Sequence, residues 1–146
     1  MTEKNYTEPQ RLALNTFVKL VRCTTSVTSD VHTNQLGDLT VSQFGIIEAL
    51  YHLGPMSQKL LATKILKSPG NITTVINNLE KSGLVKRVKN KNDKRFYNVH
   101  LTGKGLRMIS AIFPQHAVNI EKRLGVLTEK EQVELGRLLK KLSGSD

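Results

Sequence analysis

The spacing of apolar residues changes abruptly at Leu84, and that change constrains the fold more than any other feature of the chain. Upstream, Leu60, Leu61 and Ile65, and then Ile72, Val75, Ile76 and Leu79, recur at the interval of helices buried on one side. Downstream, Val85 and Val88, then Tyr97, Val99 and Leu101, interleave with polar residues on either side of the turn Asn90-Lys91-Asn92-Asp93, as in the two strands of a hairpin. Ser57 can cap the first helix. Ser68 followed by Pro69 can open the second, and Gly83 can stop it in the left-handed conformation, so the spacing predicts a helix from about 69 to 82. Two short helices joined by a tight turn and followed by a hairpin make a winged helix-turn-helix.

Both flanks are helical. After Pro9, the series Leu14, Phe17, Val18 and Val21, extended by Val27 and Val31, predicts a long first helix with a stop near Gly37. Thr40 and Gln43 form a capping-box pattern, after which Phe44, Ile47, Leu50 and Tyr51 share one face until Gly54-Pro55. Thr102 can cap another long helix carrying Leu106, Ile109, Ile112, Phe113 and Ile120, in which Pro114 is expected to kink or interrupt the run. Thr128 and Glu131 form a second capping box before a last helix with Leu135, Leu138, Leu139 and Leu142 on one face. A small central domain is not expected to cover the stripes at both ends, so they suggest a dimer interface, with Leu14, Phe17, Val18, Leu135, Leu138 and Leu139 as candidates.

Charge indicates the partner. The 146 residues carry 22 lysines and arginines against 12 acidic residues, a formal net charge of +10, which implies a polyanion such as nucleic acid or an anionic membrane surface. Between Lys81 and Arg107 nine cations stand against Asp93 alone, so most of the excess lies on the wing and its roots. The preceding helix leaves Gly70, Asn71, Thr73, Thr74, Asn77 and Asn78 outside its apolar stripe. A face needed only for solubility would carry Lys and Glu, the better helix formers. Short side chains that donate and accept hydrogen bonds suit base edges instead, with Asn fitted to adenine and Thr to the thymine methyl. The candidate DNA-contacting residues are therefore Ser68, Gly70, Asn71, Thr73, Thr74 and Asn77 on the helix and Lys86, Arg87, Lys91, Lys94 and Arg95 on the wing, with Asp93 as wing support. A solvated hairpin would explain the charge alone, and an ordinary polar face the helix alone; their juxtaposition points to double-stranded DNA.

The chain is thus expected to be mainly α with a small β-hairpin wing (α+β), divided into an N-terminal dimerisation helix over 1–38, a winged helix-turn-helix DNA-binding domain over 39–102 and C-terminal dimerisation helices over 103–146. Other functions find little support. One cysteine, Cys23, leaves no intramolecular disulfide or multi-cysteine zinc site, and it is expected to be a small buried hydrophobe. His32, His52, His100 and His116 lack a His or Cys partner one helical turn away, so no metal or cofactor is expected. Tyr51, Met56 and Met108 are expected in the core. No nucleophile–base pairing or phosphate loop suggests an enzyme, and GKG at 103–105 is a helix start. No apolar run is long enough to span a bilayer, and the polar start MTEKNYTEPQ has no signal-peptide pattern, so no membrane association and a cytoplasmic location are expected.

Three segments resemble the MarR family of bacterial transcriptional regulators: LTVSQFGIIEAL at 39–50, ITTVINNLEKSGLVKR at 72–87, and NDKRFYNVHLTGKG at 92–105, the last matching the family's wing signature of Asp-x-Arg, strand, Leu-Thr and Gly. The resemblance implies that Arg95 enters the minor groove while Asp93 holds the wing. It implies that Asn71, Thr73, Thr74 and Asn77 face the major groove, and that the first and last helices form a homodimer. It further implies a pseudo-palindromic operator, action most often as a repressor, and release by a small effector, in this family often a small anionic aromatic. Cys23 does not align with the reactive cysteine of the peroxide-sensing branch, which falls at Thr16. A non-specific chromosome-associated DNA-binding protein is the alternative; it would need the basic wing but not the polar helix face.

Overall fold

The computed structural model describes residues 5–32, 36–65 and 69–144. Six helices and three strands follow in the order α1 (Glu8–His32), α2 (Val41–Leu53), β1 (Met56–Ser57), α3 (Gln58–Lys64), α4 (Pro69–Lys81), β2 (Val85–Lys89), β3 (Tyr97–Leu101), α5 (Gly103–Leu124) and α6 (Glu129–Ser143) among the described residues. The chain forms two compact units, one of Met1–Thr33 with Val118–Asp146 and the other of Asn34–Ala117.

Local chemistry sets most of the boundaries in the second unit. Thr40 accepts from the Gln43 backbone N–H at 3.1 Å while the Gln43 side chain accepts from the Thr40 N–H at 3.0 Å, a complete capping box. Ser57 Oγ accepts from Leu60 N at 3.2 Å and starts α3. Gly54 and Gly83 adopt φ of 82° and 73°, a region that suits residues without a Cβ, and they end α2 and follow α4. Ser68, expected to cap α4, lies outside the described residues.

The core of this unit gathers Phe44, Ile46 and Ile47 of α2, Leu61 of α3, Ile72, Ile76 and Leu79 of α4, Val85, Val99, and Ile109 of α5, all fully buried. Several expectations are corrected here. Ile46 is buried although it lies off the expected stripe of α2, because that helix is covered on more than one side, whereas Tyr51 is half-exposed at 37%. Leu60 is 45% exposed, and Ala62 takes its place beside Leu61 inside. Val88 is exposed too, since its distance of three residues from Val85 puts it on the opposite face of the strand. Among the described residues the sheet has three strands, not two, in the antiparallel order β1-β3-β2, with Met56 opposite Val99, and Val85 opposite Leu101.

The start of α5 is stitched to the end of α4. Thr102 Oγ1 donates to the Gly83 carbonyl at 2.6 Å and accepts from Gly105 N at 3.1 Å, and Lys104 Nζ donates to the Ser82 carbonyl at 2.8 Å. A Cβ on Gly105 would stand 2.1 Å from the Leu84 carbonyl oxygen, so only glycine permits this approach. The helix then continues through Pro114 instead of breaking there. Proline removes one backbone hydrogen bond, and Ile109 and His116, both buried, anchor the helix on each side of it.

In the first unit, Arg123 Nε lies 2.9 Å from Asp30 Oδ2, an ion pair not aligned for a hydrogen bond, and Arg123 Nη2 donates to Ser26 Oγ at 3.2 Å, linking α1 to the end of α5. Thr128 and Glu131 complete the second capping box, and Gly144 closes α6 in the left-handed conformation. Both α1 and α6 leave apolar side chains uncovered in the single chain, among them Phe17 at 61% and Leu142 at 68%. Cys23, expected to be buried, is exposed.

Candidate nucleic-acid interface

Helix α4 carries its polar face as the spacing implies. Ile72, Ile76 and Leu79 point inward, while Asn71, Thr73, Thr74, Asn77 and Asn78 are exposed. Val75 is only half-buried. Gly70 belongs to the first turn of the helix. Gln58, at the start of α3, donates through Nε2 to the Thr73 hydroxyl, so the first helix of the motif holds the second by its polar side as well as through the core.

The wing is built on local hydrogen bonds. Asn90 Oδ1 accepts from Asn92 N at 2.9 Å and Asp93 N at 3.2 Å, an Asx turn, and Asn90 N donates to the Phe96 carbonyl at 2.9 Å. Asp93 grips Arg95: its carboxylate accepts from Arg95 N at 3.1 Å, from Nε at 3.0 Å and from Nη2 at 2.7 Å. The Arg95 side-chain hydrogen bonds, with the Arg95 backbone N–H, hold the Asp93 carboxyl below its ordinary range. The same contact pushes the Arg95 guanidinium up. Arg95 nonetheless remains 83% exposed, resting 5.8 Å from the centre of the Phe96 ring. Lys86, Lys91 and Lys94 are exposed.

Arg87 is placed differently. It lies two residues from buried Val85 and therefore on the inner side of β2, and its side chain is 21% exposed. Its Nη1 donates to Glu80 Oε1 at 2.9 Å and its Nη2 to Asn77 Oδ1 at 2.7 Å. Sequence spacing alone treats Arg87 as one more wing cation; the two-residue period that buries Val85 was the signal for its inward position. Gln58, Phe96 and Tyr97 also line the open cleft of about 480 Å³ between α3 and the wing, and the sequence marks none of them as a site residue. The only available clue was the polar character of Gln58 beside a helix cap. The candidate dimerisation residues Leu14, Phe17, Val18, Leu135, Leu138 and Leu139 all lie in the first unit and are exposed. No group of three or more metal-ligating side chains occurs among the described residues.

A polar-faced helix buttressed by a second short helix and flanked by a basic wing defines a winged-helix DNA-binding transcriptional regulator. The chain belongs to the MarR family: residues 39–96 match its profile. It is 32% identical over 144 residues to the HTH-type transcriptional regulator MhqR of Bacillus subtilis (strain 168), covering 97% of this chain and 93% of that one. Among solved structures, transcriptional regulator PA4135 superposes with a TM-score of 0.78 at 25% identity, over 89% of this chain and 96% of its own. A cysteine-to-serine mutant of MarR from Escherichia coli, complexed with operator DNA, does so with a TM-score of 0.72 at 25% identity, over 88% and 96%. No helix among the described residues is long and apolar enough to cross a membrane.

Proposed function

We propose that the protein is a repressor that binds a pseudo-palindromic operator as a homodimer and leaves it when a small effector binds. The observation that carries the reading is the pairing, within one unit, of the exposed Asn71, Thr73, Thr74 and Asn77 face with the exposed cations of the wing. A groove-reading helix needs phosphate contacts beside it to set its register, and the wing supplies them through Lys86, Lys91, Lys94 and Arg95. Arg95, with Asp93 on its Nε and Nη2 edge, is presented outward for a minor groove. The uncovered apolar residues of α1 and α6 support the dimer, and a two-fold dimer places its recognition helices on half-sites one helical turn apart.

An effector acts by favouring a different spacing of the two helices. A panel of small aromatic acids tests that part: unchanged operator retention across the panel rules out the ligand class. Footprinting on the DNA flanking the protein's own gene tests the rest. A short protected pseudo-palindrome at near-physiological salt is the expected result, and uniform protection of all sequences would instead identify a chromosome-coating protein.

A further inference from the structure

The geometry points to Asn77 as a guanine-reading residue whose polarity is set by Arg87; the inference deepens the operator reading above and rests on it. A guanidinium has donors only, so the amide atom that faces it at hydrogen-bonding distance is the oxygen. Arg87 Nη2 stands 2.7 Å from Asn77 Oδ1, and the guanidinium is itself fixed by Glu80, with Nη1 2.9 Å from Oε1. The Arg87 backbone N–H donates to the other Glu80 oxygen at 3.2 Å, and Nη2 also approaches Gln58 Oε1 at 3.5 Å. Residues from α3, α4 and β2 therefore orient one amide.

An unrestrained Asn offers an acceptor beside a donor, which is what the N7 and N6 edge of adenine takes. With its oxygen drawn to Arg87 and one of its two lone pairs occupied there, Asn77 presents its amino group as the freer end, and two adjacent acceptors are found on guanine, at N7 and O6. Adenine would oppose its own N6 amino group to that donor. The general pairing of Asn with adenine thus does not extend to position 77. Arg87 is a positioning residue in this scheme: its charge is matched by Glu80 and its side chain is 21% exposed, against 83% for Arg95.

Selection from randomised duplex DNA, with the full chain as wild type, Asn77→Ala, Asn77→Asp and Arg87→Met, tests the inference. The wild type is expected to enrich a motif containing one position that becomes indifferent in Asn77→Ala, and that position is a G·C pair preferred over A·T by about tenfold. Asn77→Asp keeps a partner for Arg87 but turns an acceptor outward, so the same position inverts to C·G, where the cytosine amino group donates. Arg87→Met frees the amide, and A·T gains at that position alone; a merely loosened wing would weaken every position together. An A·T preference of the wild type at the Asn77-dependent position, a motif with no such position, or an unaltered preference in Arg87→Met overturns the inference. Should Arg87→Met fail to fold, inversion or its absence in Asn77→Asp decides. A wild type that enriches no motif removes the operator reading itself, and so separates the two failures.

Discussion

Gly105 shows how little room the join between α4 and α5 leaves: with the Leu84 carbonyl 2.1 Å from a notional Cβ, backbone must move to admit even a methyl group. Gly105→Ala is expected to destabilise the chain by about 1–3 kcal/mol, the usual cost of overpacking, and a thermal melt equal to the wild type's would contradict it. Arg95 works at the other extreme of exposure. Because it reaches into solvent, Arg95→Ala should lower the melt only slightly, by the loss of an exposed ion pair with Asp93, and lower the slope of log affinity against log salt on DNA by about one. An unchanged slope would remove Arg95 from the phosphate-contacting set. Asp93 has its carboxyl held down by Arg95, so the stabilisation it lends the wing is fully present above the ordinary carboxylate value of 3.8 and disappears only as pH falls through the lower folded-state value. A carbon-detected NMR titration should place its midpoint below 3.8, and a midpoint at or above 3.8 would show that the grip on Arg95 is not made in solution.

At the scale of elements, the helices that carry their own punctuation were legible and the contacts between elements were not. Thr40 with Gln43 and Thr128 with Glu131 announce two helix starts because a capping box is closed within four residues. Strand β1 could not be anticipated, since two residues carry no period and Met56 becomes a strand only by facing Val99. The polar face of α4 was visible as propensity forgone, whereas the ties from Gln58 to Thr73 and from Arg87 to Asn77 join residues distant in the chain. Substituting Asn71 or Thr74 by Ala is expected to reduce binding to the operator by about fivefold or more while leaving random DNA nearly unaffected, in line with the loss of a base contact. Equal losses on both DNAs would mean that these residues touch phosphate alone.

For the whole molecule, the exposed apolar residues of α1 and α6 decide the outcome. Isolated chains seldom leave so many large side chains uncovered without a partner to bury them. Because Phe17 and Leu139 are 61% and 42% exposed in the single chain, Phe17→Glu combined with Leu139→Glu should spare the fold of the monomer and abolish association. Sedimentation of the double variant as an intact dimer would place the interface elsewhere. Deleting residues 1–20 should likewise yield a monomer with much reduced operator affinity.

Periodicity, caps and charge determined from the sequence alone that the chain would be mainly helical, that a helix-turn-helix would precede a hairpin, and that the hairpin would carry the cationic excess, because each of these is written in residues close to one another along the chain. Tertiary structure alone decided that Ile46 is buried and Tyr51 half-exposed, that α5 runs through Pro114, and that Arg87, inward by its strand register, meets Asn77 and Glu80 while Arg95 remains outside. Burial and ion pairing depend on what arrives from elsewhere in the chain, and two arginines eight residues apart with the same intrinsic chemistry are divided by their neighbours in space.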